Sequence, residues 1–400
     1  MAKNSGLSDA KAAKNDEFYT QFDDINRELN CYLEYDENVF RDKTILLPCD
    51  DPKFSNFTKF FALKFEDYGL KKLISTSYAV NSKKFKTPVQ LSLWEQNFPQ
   101  YDPTIDDLRG KIYTLDRESI KTNKYPPDAL QWDYLEGDGD FRSDEVKKLR
   151  DEADVIITNP PFSLFREFLN WINEGDKKFL IIANKNCITY KEVFPLIKEN
   201  KIWSGAMPMG KDLLFEVPKD MQEIFLAERS QGSTYKIINE KFFARSSAIW
   251  LTNIEHGRRH QPMILAEMAD LVKHNKHKTA RENLYKKYDN YDAIEVPFTD
   301  LIPEDYEGVM GVPITFLNQY CPEQFEIVGI TKTPLCGDLR TKIYPRQIQH
   351  NFDKNSNVTK LNDGACIMSE NVPEKYPYYE VDGKFYVAVY PRILIRHKRR

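Results

Sequence analysis

Through the first 255 residues, short apolar runs alternate with stretches of helix-like spacing. "KTILLPCDDP" (residues 43–52) is apolar from Ile45 to Leu47 and then turns polar, which predicts a buried strand ending in a turn. "SNFTKFFALKFEDYG" sets Phe57, Phe60, Phe61 and Leu63 at helical intervals and stops near Gly69. "KKLISTSYAV", "DVIITNPP", "KKFLIIAN", "NKIWSGA" and "AIWLTNI" read as further strands, with "SLFREFLNWINEG" a helix between the second and third of these. Strands separated by helical patterns imply crossover connections, hence an α/β fold with a mostly parallel sheet and helices on both faces. In such a sheet ligands bind beyond the carboxyl ends of the strands, where "CDDP" and "NPPF" both fall.

The regular texture is interrupted twice. Residues 80–131 contain "NSKKFKTPVQ" and "NKYPPDALQ" and read as an insertion. Beyond residue 255 the chain becomes basic, with Arg258, Arg259, Lys273, Lys276, Lys278 and Arg281 in one short span and "RILIRHKRR" at the end. Between them runs a polar, turn-rich segment, "TKTPLCGDLRTKIYPRQIQHNFDKNSNVTKLNDG". No internal repeat or low-complexity tract is present.

Composition narrows the classes. The net charge of −4 excludes a uniformly basic chain but not a local basic face. No run approaches 18 apolar residues, and the first residues, "MAKNSGLSDAKAAKNDEFYTQ", have no apolar core, so neither a membrane span nor a secretory signal is expected. Six cysteines without a CxxC pair, and six histidines all beyond residue 255 without HExxH spacing, predict reduced thiols in a cytoplasmic protein and no metal site.

"DVIITNPPFSLFREFL" carries the most specific chemistry. Two adjacent prolines cannot continue a strand, because each lacks an N–H and fixes φ near −65°. Their carbonyls still accept hydrogen bonds, so the Asn159 amide oxygen and the Pro160 carbonyl form a pair of acceptors held rigid by Pro161. Such a pair suits an exocyclic –NH₂, whose lone pair is otherwise delocalised into its ring. Accepting both protons localises that lone pair and aims it at an electrophile, which is orientation and electrostatic stabilisation. Phe162 offers a face for a planar base, which must be flipped out of a duplex to reach it. Core packing of Phe162 after a proline-ended strand is the plainer alternative. A protein amide nitrogen would fit the same two acceptors.

A methyl donor would sit at the end of a neighbouring strand. Asp50 and Asp51 in "CDDP" can accept from ribose hydroxyls or pair with the amino group of S-adenosylmethionine, although the usual glycine-rich turn is missing; Asp51 serves equally well as a helix cap. In "EGDGDFRSDE", Asp140 can accept from an adenine amino group while Phe141 lies against the ring, or the stretch is a solvated acidic turn. "DEFYTQ" places Tyr19 and Thr20 either in such a pocket or in the cap of a helix. A metal-dependent nuclease site built from Asp140, Glu145 and Lys147 is disfavoured, because all three fall in one short stretch with no acid on a separate strand.

Taken together, "KNDEFYTQ", "CDDP…SNFTKFFALKF…GLKKLI", "GDGDFRS", "TNPPFSLFREFL", "KKFLIIAN…ITYKEVF.LI.ENKIW", "WLTN", "KYDNYDAI" and "GVMGVPITFL…PEQFE" resemble the EcoRI-type adenine-specific DNA methyltransferase family. The resemblance covers most of residues 15–330 and resumes at "RILI". It implies a Rossmann-like S-adenosylmethionine-dependent methyltransferase and methylation of adenine N6 in double-stranded DNA, with GAATTC or a related site as target. It further implies protection of that site from a cognate restriction endonuclease, without direct binding between the two enzymes. By motif, Asn159, Pro160, Pro161 and Phe162 are its catalytic residues, and Tyr19, Thr20, Asp50, Asp51, Asp140 and Phe141 its cofactor pocket. No metal is required, because the leaving group is a neutral thioether.

The expected organisation is a catalytic domain over 1–255 and C-terminal DNA-recognition elements over 256–400. The chain looks longer than the family pattern at 80–131 and 331–390. Arg258, Arg259, Lys273, Lys276, Lys278 and Arg281 are the expected phosphate contacts, with an exposed helix and a disordered tail as the plainer reading. A relative that binds DNA without catalysis is the remaining alternative, and intact Asn159 and Phe162 speak against it.

Overall fold

The computed structural model describes residues 19–79, 105, 108–121, 131–210, 213–217, 222, 226, 235–277, 284–344, 346–352, 355–359, 364–374 and 377–398. The diproline "YPPD", "NSKKFKTPVQ", Lys278 and Arg281 lie outside the described residues, as does the side chain of Tyr19. The chain divides into two compact units, one of residues 1–185 with 204–257, the other of 186–203 with 258–400. Residues 186–203, expected in the catalytic domain, thus belong to the second unit.

The first unit is built on a mixed eight-stranded sheet. Across the sheet the strands run Trp132–Tyr134, Lys111–Asp116, Lys72–Thr76, Thr44–Leu47, Val155–Thr158, Lys178–Asn184, Ala248–Thr252 and Trp203–Ser204. The four from Lys72–Thr76 to Lys178–Asn184 are parallel, as the crossover pattern requires. Lys111–Asp116 and Ala248–Thr252 flank them in antiparallel register. Residues 111–116 therefore form part of the sheet rather than of an insertion. Their apolar positions alternate because an outer strand is less completely covered than the central pair, where Thr44–Leu47 and Val155–Thr158 are buried throughout.

The helices packed on this sheet bury most of the stripe that sequence spacing defines; in Asn56–Leu63 the rings of Phe57, Phe60 and Phe61 are buried, whereas Leu63, read as part of that stripe, is exposed. Helix Phe165–Glu174 buries Phe165, Phe168, Leu169, Trp171 and Ile172. Helix Asn56–Leu63 begins at Ser55, whose hydroxyl accepts from the N–H groups of Phe57 (3.0 Å) and Thr58 (3.4 Å). In helix Phe22–Tyr35 the buried stripe includes a carboxylate, Glu28, which accepts from Tyr32 Oη and from the backbone N–H groups of Ala206 and Met207 at 2.7–2.9 Å. These charge-assisted bonds compensate its burial. A small second sheet joins Tyr19–Thr20, Leu213–Glu216, Lys241–Ser246 and Tyr235–Ile238.

The second unit holds two further sheets. One is made of Ile294–Glu295, Met310–Pro313, Arg392–His397 and Phe325–Ile330, the other of five short antiparallel strands between Gln347 and Ala388. Arg392–His397 lies between two partner strands and buries Ile393, Leu394 and Ile395 completely. Its flanking arginines pair with Glu295 (2.7 Å) and Glu326 (2.7 Å). Of "RHKRR", for which a disordered terminus was the plainer reading, Arg396 and His397 instead end this strand, which the buried "ILI" before them orders. No helix among the described residues is long and apolar enough to cross a membrane.

Candidate active site

The strand order itself opens a crevice. From the central strand Thr44–Leu47 the chain moves to Lys72–Thr76 on one side and later to Val155–Thr158 on the other. The loops that leave the carboxyl ends of adjacent parallel strands therefore diverge, which is the topological switch point where ligands bind. A cavity of about 220 Å³ lies there. Pro48, Cys49 and Asp51 line it from the first loop, and Ser77 and Tyr78 from the loop after Lys72–Thr76. Residues 139–142 form another wall, and Pro161 and Leu164 contribute from the NPPF segment.

Close backbone packing shapes one rim. Ala79 donates its N–H to the Asp138 carbonyl (2.7 Å) and Gly110 to the Gly137 carbonyl (2.9 Å). Gly139 has φ +80°, and a Cβ there would stand 2.1 Å from the Ser77 carbonyl oxygen. Only glycine meets both conditions. The glycine at 139 thus lets "GDGD" pack directly on the loop that carries Ser77. Glu145 closes the same turn by accepting from the N–H groups of Glu136 and Gly137 (2.9 Å each). That occupies the carboxylate considered for a nuclease site, and among the described residues no group of three metal-ligating side chains is assembled.

Four of the expected site residues meet at the cavity: Asp51, Asp140, Phe141 and Pro161. Asp51 faces the buried Lys111 ammonium at 3.9 Å. Asp140 accepts from the Arg142 backbone N–H (2.8 Å) and from its guanidinium (2.6 and 2.9 Å). Those guanidinium bonds hold its carboxyl below the usual range against the opposing effect of burial. Arg142 reaches on to Glu167 at 2.9 Å. Phe141 sets its ring edge-on to Phe168 and Trp171, so a buried aromatic cluster fixes its orientation.

The others are placed differently. Asn159 and Pro160 are buried at the end of the strand, two and one residues before the cavity-lining Pro161. The Asn159 Oδ1 atom is buried without a hydrogen-bond partner. Phe162 is half-buried and packs against the main core cluster while starting a short 3₁₀ turn. Asp50 points into the sheet rather than the cavity, accepting from Ser55 Oγ (2.7 Å) and Thr158 Oγ1 (2.5 Å). Thr20 is buried in the small sheet, its carbonyl accepting from Asn56 Nδ2 (2.8 Å), and is not among the cavity-lining residues. Ser77, Tyr78 and Arg142 were missed. The first two were read inside the strand "KKLISTSYAV", which in the structure stops at Thr76 and leaves both in the loop beyond its carboxyl end.

The basic residues of the second unit also separate. Arg258 and Lys273 are exposed, and Lys276 is exposed with its ammonium 2.9 Å from Asp300. Arg259 is buried, its guanidinium 4.0 Å from the centre of the Trp203 ring and bonded to Asn200. Arg259, expected as a phosphate contact, is thus placed in a buried stack rather than on an exposed face.

Comparison with known proteins decides the family. The model of the family described as adenine-specific methyltransferase EcoRI matches residues 6–398. The chain belongs to the EcoRI family of adenine-specific methyltransferases. It is 41% identical to the Type II methyltransferase M.EcoRI of Escherichia coli over 331 residues, 83% of this chain and 90% of that protein. It is 34% identical to the Type II methyltransferase M.MgeORF184P of Mycoplasma genitalium, over 81% of this chain and 86% of that relative. M.MpnI of Mycoplasma pneumoniae, also a Type II methyltransferase, is 32% identical over 84% of this chain and 90% of its own length. No solved structure matches this chain significantly.

Proposed function

We propose that this methyltransferase transfers a methyl group from S-adenosylmethionine to N6 of an adenine flipped out of duplex DNA, at GAATTC or a related site. Methylation there would protect the DNA from a cognate endonuclease. The observation that carries the reading is the buried, unpartnered Asn159 Oδ1 two residues before the cavity wall. A buried acceptor without a protein partner, so close in sequence to a cavity wall, is available to complete its bonding with a ligand.

The cavity suits S-adenosylmethionine by chemistry. The Asp51 carboxylate offers an acceptor for hydroxyl or ammonium groups, Tyr78 and Phe141 offer aromatic surface, and Pro48, Pro161 and Leu164 offer apolar contact. When bound, the cofactor supplies a sulfonium methyl, an electrophile whose transfer leaves a neutral thioether. Asn159 Oδ1 and the Pro160 carbonyl would accept the two N6 protons and turn the nitrogen lone pair toward that methyl. As the N–C bond forms the C–S bond breaks, and the extra proton on N6 departs to solvent. The rigid diproline keeps both acceptors in place, so reorganisation is small.

Asn159→Ala tests the acceptor role. Loss of one preorganised polar group at a reacting centre costs about 10²–10³ in kcat. DNA affinity, measured by mobility shift, is expected to stay at the parental value. Methyl transfer by Asn159→Ala at the parental rate would remove the acceptor role.

A further inference from the structure

The twin carboxylates of "CDDP" have separated. Asp51 turns out to the cavity, whereas Asp50 turns in, and its two oxygens tie together elements far apart in sequence. Oδ1 accepts from Ser55 Oγ, the cap of helix Asn56–Leu63, at 2.7 Å. Oδ2 accepts from Thr158 Oγ1, the last residue of the strand before Asn159, at 2.5 Å. The Asp50 backbone joins the same knot. Its N–H donates to the Thr76 carbonyl (3.0 Å), and its own carbonyl accepts from Ser75 Oγ (2.6 Å), which in turn contacts Thr58 Oγ1 (2.7 Å). Three neighbouring strand ends, each leading into a loop that lines the cavity, are thus fixed to one buried residue.

We propose that Asp50 is a positioning residue for methyl transfer, acting through Thr158 to fix the backbone from which Asn159 projects, and that it is not a cofactor ligand. The inference rests on the acceptor role of Asn159 given above. Apolar side chains of similar volume would hold these strands together as well as a buried carboxylate does. What they lack is direction: a 2.5 Å hydrogen bond sets both distance and angle at Thr158. Asn159 follows immediately, and prolines at 160 and 161 remove the backbone freedom that would absorb an error. A small rotation at Thr158 therefore passes directly to Oδ1. The same residue, through its carboxylate at Ser55 and its backbone carbonyl at Ser75, fixes the two loops on the cofactor side, so nucleophile and methyl donor are referred to one anchor.

The test uses the full-length protein, duplex DNA and S-adenosylmethionine, with assays run well below the melting temperature of every variant. Thr158→Val keeps the shape and removes the donor. Its kcat is expected to fall roughly tenfold to a hundredfold, while KM for S-adenosylmethionine stays within about twofold. Thr158→Ser, which keeps the hydroxyl, is expected to recover most of the lost kcat. Asp50→Asn is expected to follow Thr158→Val, whereas Asp51→Asn is expected to raise KM for S-adenosylmethionine. A Thr158→Val enzyme with lowered melting temperature but parental kcat would reduce the knot to a structural role and overturn the proposal. A rise in KM in place of the fall in kcat would overturn it too, as would failure of serine to rescue. If the parental enzyme does not methylate duplex DNA, the underlying reading fails first, and this is seen before any variant is compared.

Discussion

Gly139→Ala is a small change at the place where the cavity rim tolerates none. At φ +80° an alanine pays the left-handed penalty, roughly 1–2 kcal/mol. The new Cβ would also lie 2.1 Å from the Ser77 carbonyl oxygen, where real contacts do not fall below 3.0 Å. The two backbones must therefore part by close to 0.9 Å, the difference between those distances. Overpacking of this kind costs about 1–3 kcal/mol, for a total destabilisation of roughly 2–5 kcal/mol. Part of the strain is relieved by moving the rim, because Ser77, Tyr78 and residues 139–142 all line the cavity. Misplacement of about 1 Å near a reacting centre costs on the order of a hundredfold in rate. Urea denaturation gives the stability change, and calorimetric titration with S-adenosylmethionine gives the affinity change. Both are expected to fall together. An alanine variant with parental stability and parental affinity would refute the argument that this glycine shapes the pocket.

Further outcomes follow from charge. Arg142 holds the Asp140 carboxyl below its ordinary value, so the pair stabilises the fold fully above the unfolded pKa of about 3.9 and loses this contribution as pH falls through the lower, folded value. The stability gap between parent and Arg142→Met is expected to be widest at neutral pH and to shrink below about pH 4; a gap independent of pH, measured by urea midpoints, would contradict this. Arg258→Ala is expected to reduce the slope of log affinity for DNA against log salt by about 1, as loss of one phosphate contact does. Arg259→Ala is expected to leave that slope unchanged and to lower stability by about 1–3 kcal/mol, because its guanidinium is buried on Trp203. Equal effects of the two substitutions on the salt slope would refute the distinction between them.

The sheet was largely legible because its central strands are unbroken apolar runs and its helices carry a regular apolar stripe. "TILL" and "VIIT" admit little else once crossover helices are found between them. The strand Lys111–Asp116 was hidden because it alternates, sits beyond an irregular stretch and reaches its partner antiparallel. At "NPPF" backbone chemistry restricts the options, and the fold brings that segment to the cavity through Pro161 while Phe162 packs against the core. The site was less legible at "CDDP", because two adjacent identical carboxylates look interchangeable until the fold turns one inward and one outward. Arg259 shows the same limit: sequence gives a cation its charge, whereas its burial against Trp203 depends on a residue 56 positions away, as the numbering shows. At "RHKRR" the charge hid a related dependence, since Arg396 and His397 are ordered by the apolar "ILI" that precedes them in the strand.

The measurement that reaches the central claim most directly is methyl transfer from labelled S-adenosylmethionine to two duplexes, one containing GAATTC and one with that site scrambled, followed by nucleoside analysis. Label recovered as N6-methyladenine from the first duplex alone is the predicted result. Label on a nitrogen other than adenine N6 would contradict the proposed reaction, and label in neither duplex would rule out GAATTC as the site.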